Sequence, residues 1–288
     1  MEKANFPVAF MCRELAVSRQ GYYAWVARRS APLGPRAEAR RCLAELIVEI
    51  FDEHKGRYGA PRICVELGRR GHQVGMNRVA AIMAELGLAG KSGRRAVPRT
   101  TIVDPGAAPA PERLGRDFDP DAPDKVWVTD ITYIRTVRGW CYLAAIVDCY
   151  SRLVVGWALA DHMRTDLCLE ALRDAVARRR PAPGLVHHSD RGCQYSSHDY
   201  QKALQDNNLV SSMSRKGNCW DNAVAESFWA TLKRELTDDI EWESEEELDG
   251  ALFEYIEIYY NRKRLHSTLD YMTPQEYNDS YKEPAEAA

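Results

Sequence analysis

No stretch of this chain is apolar over the roughly 18 consecutive residues that a bilayer-spanning helix needs. That excludes a helical membrane protein. The opening residues, Met1-Glu2-Lys3-Ala4-Asn5-Phe6, lack the basic-then-apolar pattern of a secretory leader, so an intracellular location is expected. Cysteine occurs at positions 12, 42, 64, 141, 149, 168, 193 and 219, never with paired CxxC spacing. A disulfide framework is therefore not expected, and the thiols read as reduced, mostly small core residues. No internal repeat is found, which removes solenoids and propellers.

What is present is 288 residues, 45% apolar and 28% charged. That is long enough for one sizeable core and a second small domain. The net charge of −3 conceals an asymmetry. Residues 1–110 hold 18 Lys and Arg against 10 Asp and Glu, and the remainder is acidic by 11 charges, with much of the acid between Asp238 and Asp249. The front of the chain attracts polyanions; the back does not.

Two prolines and a glycine in Ser30-Ala31-Pro32-Leu33-Gly34-Pro35 break any helix, so a new unit starts there. Leu43, Leu46, Ile47, Ile50 and Phe51 form one apolar stripe of a helix. A turn, Lys55-Gly56-Arg57-Tyr58-Gly59-Ala60-Pro61, leads to a shorter helix near Arg62–Arg70. After Gly71 and Gly75 a third stripe follows with Val79, Ile82, Met83 and Leu86. Three short helices, two joined by a glycine turn, fit a helix-turn-helix. Between Ala89 and Asp124, basic residues, alanines and prolines replace apolar periodicity, as expected of a linker.

Beyond it, β-branched and aromatic residues predict strands over 126–134, 142–149 and 153–159. Helices and short strands then alternate: a helix around Leu167–Val176, a strand Gly184–His188, a helix Ser197–Asn207, a strand Leu209–Met213, and a helix around Glu226. This describes a mixed α/β sheet covered by helices. A further helix is expected at Glu245–Tyr260, followed by a basic-aromatic turn from Tyr260 to His266. The boundaries expected are 1–35 (helical segment), 36–90 (helix-turn-helix), 91–124 (linker), 125–237 (catalytic core) and 238–288 (helix and tail).

An aspartate in mid-strand is costly unless compensated, and Asp130 is such a residue, flanked on its face by Val128 and Thr132. Taken alone, a capped or salt-bridged side chain is the simpler account. Asp190 follows the strand Leu185-Val186-His187-His188, and ligands of α/β sheets gather at strand ends. Glu226 borders the stripe Ala225, Phe228, Trp229, Leu232 and Leu236 of a helix capped by Asp221 or Asn222. Lys233, two turns on, falls on the same side. Three carboxylates from two strand ends and a helix suit hard divalent cations such as Mg2+. Two such ions about 3.5–4 Å apart serve in-line phosphoryl transfer.

The segments Thr129-Asp130-Ile131-Thr132-Tyr133-Ile134, His188-Ser189-Asp190-Arg191-Gly192-Cys193-Gln194-Tyr195 and Asp221-Asn222-Ala223-Val224-Ala225-Glu226-Ser227-Phe228, with Lys233 beyond, resemble the catalytic motifs of the retroviral-integrase superfamily. Asp190 and Glu226 have 35 residues between them, the spacing of its Asp-Asp-Glu group. The likeness is strongest to the second-frame transposase of the third family of bacterial insertion sequences. Lys55-Gly56-Arg57-Tyr58-Gly59 resembles that family's accessory helix-turn-helix, and Tyr260-Asn261, Arg264, His266 and Thr273-Pro274 its closing motif.

The resemblance implies a ribonuclease H-like integrase core, a mixed five-stranded sheet with flanking helices, behind a small all-α helix-turn-helix domain. It implies that Asp130, Asp190 and Glu226 are catalytic and bind two Mg2+ or Mn2+ ions, that water nicks the element's ends, and that the freed 3′ hydroxyl attacks a phosphodiester. Lys233 would lie on DNA near the scissile phosphate. Double-stranded DNA, a homo-oligomer on it and an upstream-frame protein, often fused, are the implied partners, in the bacterial cytoplasm at the nucleoid. No His-His-Cys-Cys module precedes the core, so zinc is not expected.

Other residues carry plainer alternatives. His187 and His188 point to opposite strand faces with no ligand spacing nearby, and read as core or hydrogen-bonded histidines. Asp148 is given a structural or supporting role; Glu170, Asp199 and Asp221 read as helix-start or exposed acids. The loop from Ser211 to Trp220, with Arg215 and Lys216, suits a grip on DNA. Lys91, Arg94 and Arg95 in the linker and Arg62, Arg69, Arg70 and Arg78 in the front domain are candidate phosphate contacts, against the plain reading of a solvated face. Two rivals are weighed: a DNA-binding regulator with a decayed core, against which all three carboxylates and Lys233 are present, and a nuclease that cuts without joining, from which the basic linker, helix-turn-helix and closing motif point away.

Overall fold

The structure is a computed structural model, and it describes residues 6–30, 34–91, 111, 118–214, 223–238 and 240–282. They fall into two compact units, Met1–Ala89 and Gly90–Ala288.

The first unit is helical: α1 (Val8–Glu14), α2 (Arg19–Ser30), α3 (Pro35–Glu53), α4 (Ala60–Arg69) and α5 (Met76–Glu85). Helix α3 starts after Gly34 with Pro35 in its first turn, where a missing N–H costs nothing. It buries Leu43, Ile47 and Ile50 against Ile63 and Leu67 of α4 and Val79, Ile82 and Met83 of α5. Gly71 closes α4 with φ of 86°, a left-handed conformation that glycine adopts without a Cβ penalty. Leu86 departs from the predicted stripe: it lies past the end of α5 and is exposed.

The second unit is built on a five-stranded mixed sheet, order β3-β2-β1-β4-β5. Its strands are β1 (Val126–Thr136), β2 (Gly139–Asp148), β3 (Val154–Ala160), β4 (Val186–Ser189) and β5 (Val210–Met213). The first three run antiparallel, while β4 and β5 run parallel to β1. Helix α6 (Thr165–Arg179) covers one face with the short α7 (Cys193–Ser196) and α8 (His198–Asp206). The core there comprises Trp127, Ala144, Ile146, Val155, Leu172, Tyr195 and Tyr200 among others. Gly156 permits the approach of α6, because a Cβ there would meet the Ala171 carbonyl oxygen at 2.5 Å.

Helix α9 (Ala223–Leu232) packs against β1 and β2 on the other face. It continues as a wider π-helical turn, Lys233–Thr237. Helix α10 (Glu245–Phe253) likewise runs on as a π-helix, Glu254–Tyr260, where α-pitch was expected throughout. The N–H of Asp238 reaches back to the Lys233 carbonyl and that of Asn261 to Ile256, the i→i+5 pattern. The tail closes with α11 (Pro274–Asp279), started by a Thr273/Glu276 capping box. It was not predicted, since six residues carry no readable periodicity.

The expected basic-aromatic turn is largely interior. Asn261, Arg264 and Leu265 are buried, and the Asn261 side chain accepts from the Val154 N–H and donates to the Val154 carbonyl, at 3.0 Å each, in place of a neighbouring strand. Arg264 forms a buried bidentate pair with Glu235, which also accepts from the Tyr255 hydroxyl at 2.9 Å.

Candidate active site

Asp130 sits in the middle of β1, the mid-strand position expected of it. The parallel pairing Val128↔His188 continues to bring position 190 beside position 130, and β4 stops at Ser189. Asp130 therefore stands where the neighbouring strand gives way to Asp190. Its carboxylate accepts from the Ile131 N–H at 2.8 Å and from the Trp229 indole N–H at 3.0 Å. Burial, and next the negative charge of Asp190, push its pKa up to about 7; those two donors oppose the rise and Glu226 adds to it.

Asp190 is held by its own turn, accepting from the Gly192 N–H at 2.8 Å. Position 192 has no room to spare, since a Cβ would stand 3.0 Å from the same Asp190 oxygen. Glu226 lies in the first turn of α9 with its side chain exposed; the desolvation it does meet raises its pKa. Lys233 opens the π-helical turn, with Nζ 5.0 Å from the Tyr133 ring centre. Burial lowers its pKa, and the charges of Asp238 and Asp130 counter that. Glu226 and Lys233 thus both act on Asp130 across two helical turns, on one side of α9.

The three carboxylates are not drawn into one tight set. Among the described residues no three His, Cys, Asp or Glu side chains group closely enough to hold a metal ion. Their donor chemistry nonetheless fits a hard divalent cation: all are oxygen ligands, and the repulsion that raises the pKa of Asp130 is the kind a cation relieves.

Trp229 was read only as part of an apolar stripe. Its role was detectable in principle, because a buried indole N–H needs an acceptor and Glu226 lies three positions before it.

The remaining candidates divide. His187 is buried with Nε2 2.8 Å from the Tyr200 hydroxyl, and His188 lies between the Ser212 and Ser214 hydroxyls at 2.9 and 3.1 Å, both as expected. Asp148 serves the β2–β3 turn, accepting from the N–H groups of Asp124 and Ser151 and from the Ser151 hydroxyl. Arg70 is not available to phosphate, because Glu49, Glu53 and Glu66 all pair with it. Arg62 lies over the Tyr58 ring at 5.6 Å. Arg78 is exposed in the first turn of α5, and Lys91 is half-buried. Arg94, Arg95, Arg215, Lys216, Asp221 and Asn222 lie outside the described residues.

The family described as Integrase core domain matches residues 120–219, a second family of the same description matches 208–274, and an HTH-like domain matches 38–96. Fold and site therefore define an integrase-core enzyme of the polynucleotidyl transferase class. The chain is 40% identical over 275 residues to the Insertion element IS600 uncharacterized 31 kDa protein of Shigella sonnei, covering 96% of this chain and 100% of that one. It is 38% identical over 277 residues to Transposase InsF for insertion sequence IS3A of Escherichia coli, covering 96% of each. With the transposase for insertion sequence element IS904 of Lactococcus lactis it shares 43% over 238 residues, covering 83% of this chain and 94% of that one. A chain of the simian T-cell lymphotropic virus intasome shows a loose likeness, TM-score 0.49 at 14% identity over 83% of this chain and 76% of that one. The chain belongs to the family of insertion-sequence transposases that includes InsF of IS3.

Proposed function

We propose that this transposase cuts DNA at the ends of its insertion sequence and joins those ends to a new site, with Asp130, Asp190 and Glu226 as the catalytic carboxylates. The observation that carries the reading is the register of β1 and β4, which puts Asp190 beside Asp130 while Trp229 ties α9, and with it Glu226, to the Asp130 carboxylate. The three carboxylates would hold two divalent ions, Mg2+ or Mn2+, which when bound supply charge neutralisation at the attacking and leaving oxygens.

The chain's own residues then do the positioning. Trp229 and the Ile131 N–H fix the Asp130 oxygens, and the Gly192 N–H fixes Asp190. Lys233 places a cation beside the scissile phosphate. In the first step water attacks the phosphodiester at the element's end, releasing a 3′ hydroxyl. In the second that hydroxyl attacks a phosphodiester of the target, one bond forming as another breaks, so no external energy source is needed.

The division of labour follows the expected boundaries: a helix-turn-helix at 36–90 with Arg62 and Arg78 on DNA, a linker at 91–124 with Lys91, Arg94 and Arg95, the core at 125–237 with Arg215 and Lys216 near the cut, and a closing segment at 238–288. The enzyme works as a homo-oligomer on DNA in the cytoplasm, with or fused to an upstream-frame protein that reads the ends.

The test is nicking and strand transfer on duplexes carrying the element's ends, with Mg2+ or Mn2+. Asp190→Asn is expected to lower both steps by on the order of a thousandfold or more. Wild-type rates in that variant would refute the site.

A further inference from the structure

Beyond its last pairing with β4 at Val128, β1 runs on as the open edge of the sheet, paired with β2 from Asp130↔Ala145 to Thr136↔Gly139, and past the end of β3 at Ala160 the two form a hairpin arm. The arm ends in a two-residue turn, Val137-Arg138, with Gly139 at φ of 142°. It is braced, because the Val137 N–H donates to the Trp242 carbonyl at 2.8 Å and the Thr136 hydroxyl to the Gly139 carbonyl at 3.1 Å. A free arm would be marginal; this one is a fixed platform.

Alternation assigns its two faces different jobs. Thr132, Ile134, Thr136 and Cys141 turn to the interior and are buried. The opposite face carries Tyr133, Arg135 and Trp140, with Tyr133 and Trp140 edge to face at 5.2 Å and the Arg135 guanidinium 6.0 Å from the Trp140 ring centre. Lys233 completes the row, its Nζ over Tyr133. Trp140 is 47% exposed and Arg135 is exposed. Neither Lys233 nor Arg135 is ion-paired among the described residues. The row thus sets two rings between two cations, Lys233, Tyr133, Trp140, Arg135, on the sheet face opposite Asp130, and Lys233, which lies over Tyr133 and feels the charge of Asp130, joins the row to the carboxylates round the open edge of β1. At about 3.3 Å per residue, Asp130 to Arg135 spans about 17 Å, or about five phosphates of one DNA strand.

Ring faces beside unpaired guanidinium and ammonium groups suit a nucleic acid strand, whose bases stack while its phosphates pair. An acidic protein partner would use the cations and leave the tryptophan idle; an apolar one would strand the cations. Resting on the reading of the carboxylate site given above, we propose that this face of the β1–β2 arm is a DNA track leading to the catalytic centre, with one unpaired base stacked on Trp140 and the strand's phosphates on Arg135 and Lys233.

The experiment uses the full chain, a 30-nucleotide single strand followed by fluorescence anisotropy in EDTA over a salt series, and the same strand carrying 5-iodouracil for photocrosslinking. Wild type is expected to crosslink at Trp140. Trp140→Ala should weaken binding at least about fivefold, and Arg135→Ala should lower the salt slope by about 0.7. Phe253→Ala, which removes an exposed aromatic from α10, should change nothing. Both arm variants binding within twofold of wild type, with the crosslink mapping elsewhere, would overturn the track, as would a wild-type chain with no affinity for the strand. Wild type that binds and crosslinks as expected, while Asp190→Asn nicks and joins end-bearing duplexes at wild-type rates, would leave the track standing and overturn the catalytic reading.

Discussion

The helical front unit and the sheet-based unit handle charge in opposite ways. The front is rich in cations by count, yet many are cancelled: Arg70 by three glutamates, Arg41 by Glu38 and Glu45, and Arg40 by Glu85. These pairs sit at the surface, where each is worth little. The sheet unit is acidic by count, but its decisive charges are few: the buried Glu235–Arg264 pair and the half-buried carboxylate of Asp130. Net charge thus misleads in both units. What matters is which charges are cancelled and which are left without a counter-charge.

The sharpest test of that contrast is removal of one arginine from each unit. Arg264→Ala would leave Glu235 buried and uncompensated, and urea unfolding should report a loss of about 3–5 kcal/mol. Arg70→Ala removes a partly exposed guanidinium and should cost about 1 kcal/mol or less. Equal losses would erase the distinction.

Packing in the sheet unit gives the next largest effect. Gly156→Ala forces a methyl group into the backbone of α6 and should destabilise by about 1–3 kcal/mol in the same assay.

The histidine inside the sheet unit provides a pH test. Burial, with a further push from His188, lowers the pKa of His187 to about 3. The folded state therefore keeps it neutral, and stability is full above its unfolded pKa of about 6.5 and lost as pH falls toward 3. From pH 7 to 5 the loss should be about 2 kcal/mol. Asp130 works the other way: raised to about 7 in the fold, it adds stability as pH falls. Comparison with His187→Gln isolates the histidine; parallel pH curves for the two proteins would contradict its burial as the neutral form.

The smallest effect returns to the front unit. Arg78, exposed and unpaired among the described residues, should on change to Ala weaken DNA binding severalfold and lower the salt slope by about one. Arg70→Ala should leave that slope unchanged. A slope that moves equally in both variants would show that pairing does not decide which arginines reach phosphate.

Much of this was readable in the residues. The stripe of α3, the hairpin grammar from Val126 to Ala160 and the 35-residue interval between Asp190 and Glu226 stand in the sequence with their periods and spacings intact. The rest was hidden because its cause is non-local. Trp229 looked like any stripe residue until Asp130, 99 positions earlier, supplied its acceptor. Arg264 read as part of a basic turn because Glu235 lies 29 positions away. Trp140 fell between the predicted strands 126–134 and 142–149 and carried no reading, because nothing local says that β4 stops short and leaves this edge of β1 open.

By itself, then, the sequence determined most of the element types and the sheet's alternation, since these follow from periodicity, while its resemblance to a known family singled out the three carboxylates as candidates. Tertiary structure alone decided how those groups act. It set Asp190 beside Asp130 through strand register, raised the Asp130 pKa by burial and like charge, and cancelled Arg70 with glutamates from two helices. Each of these depends on distance through space and on local dielectric, which chain order does not encode.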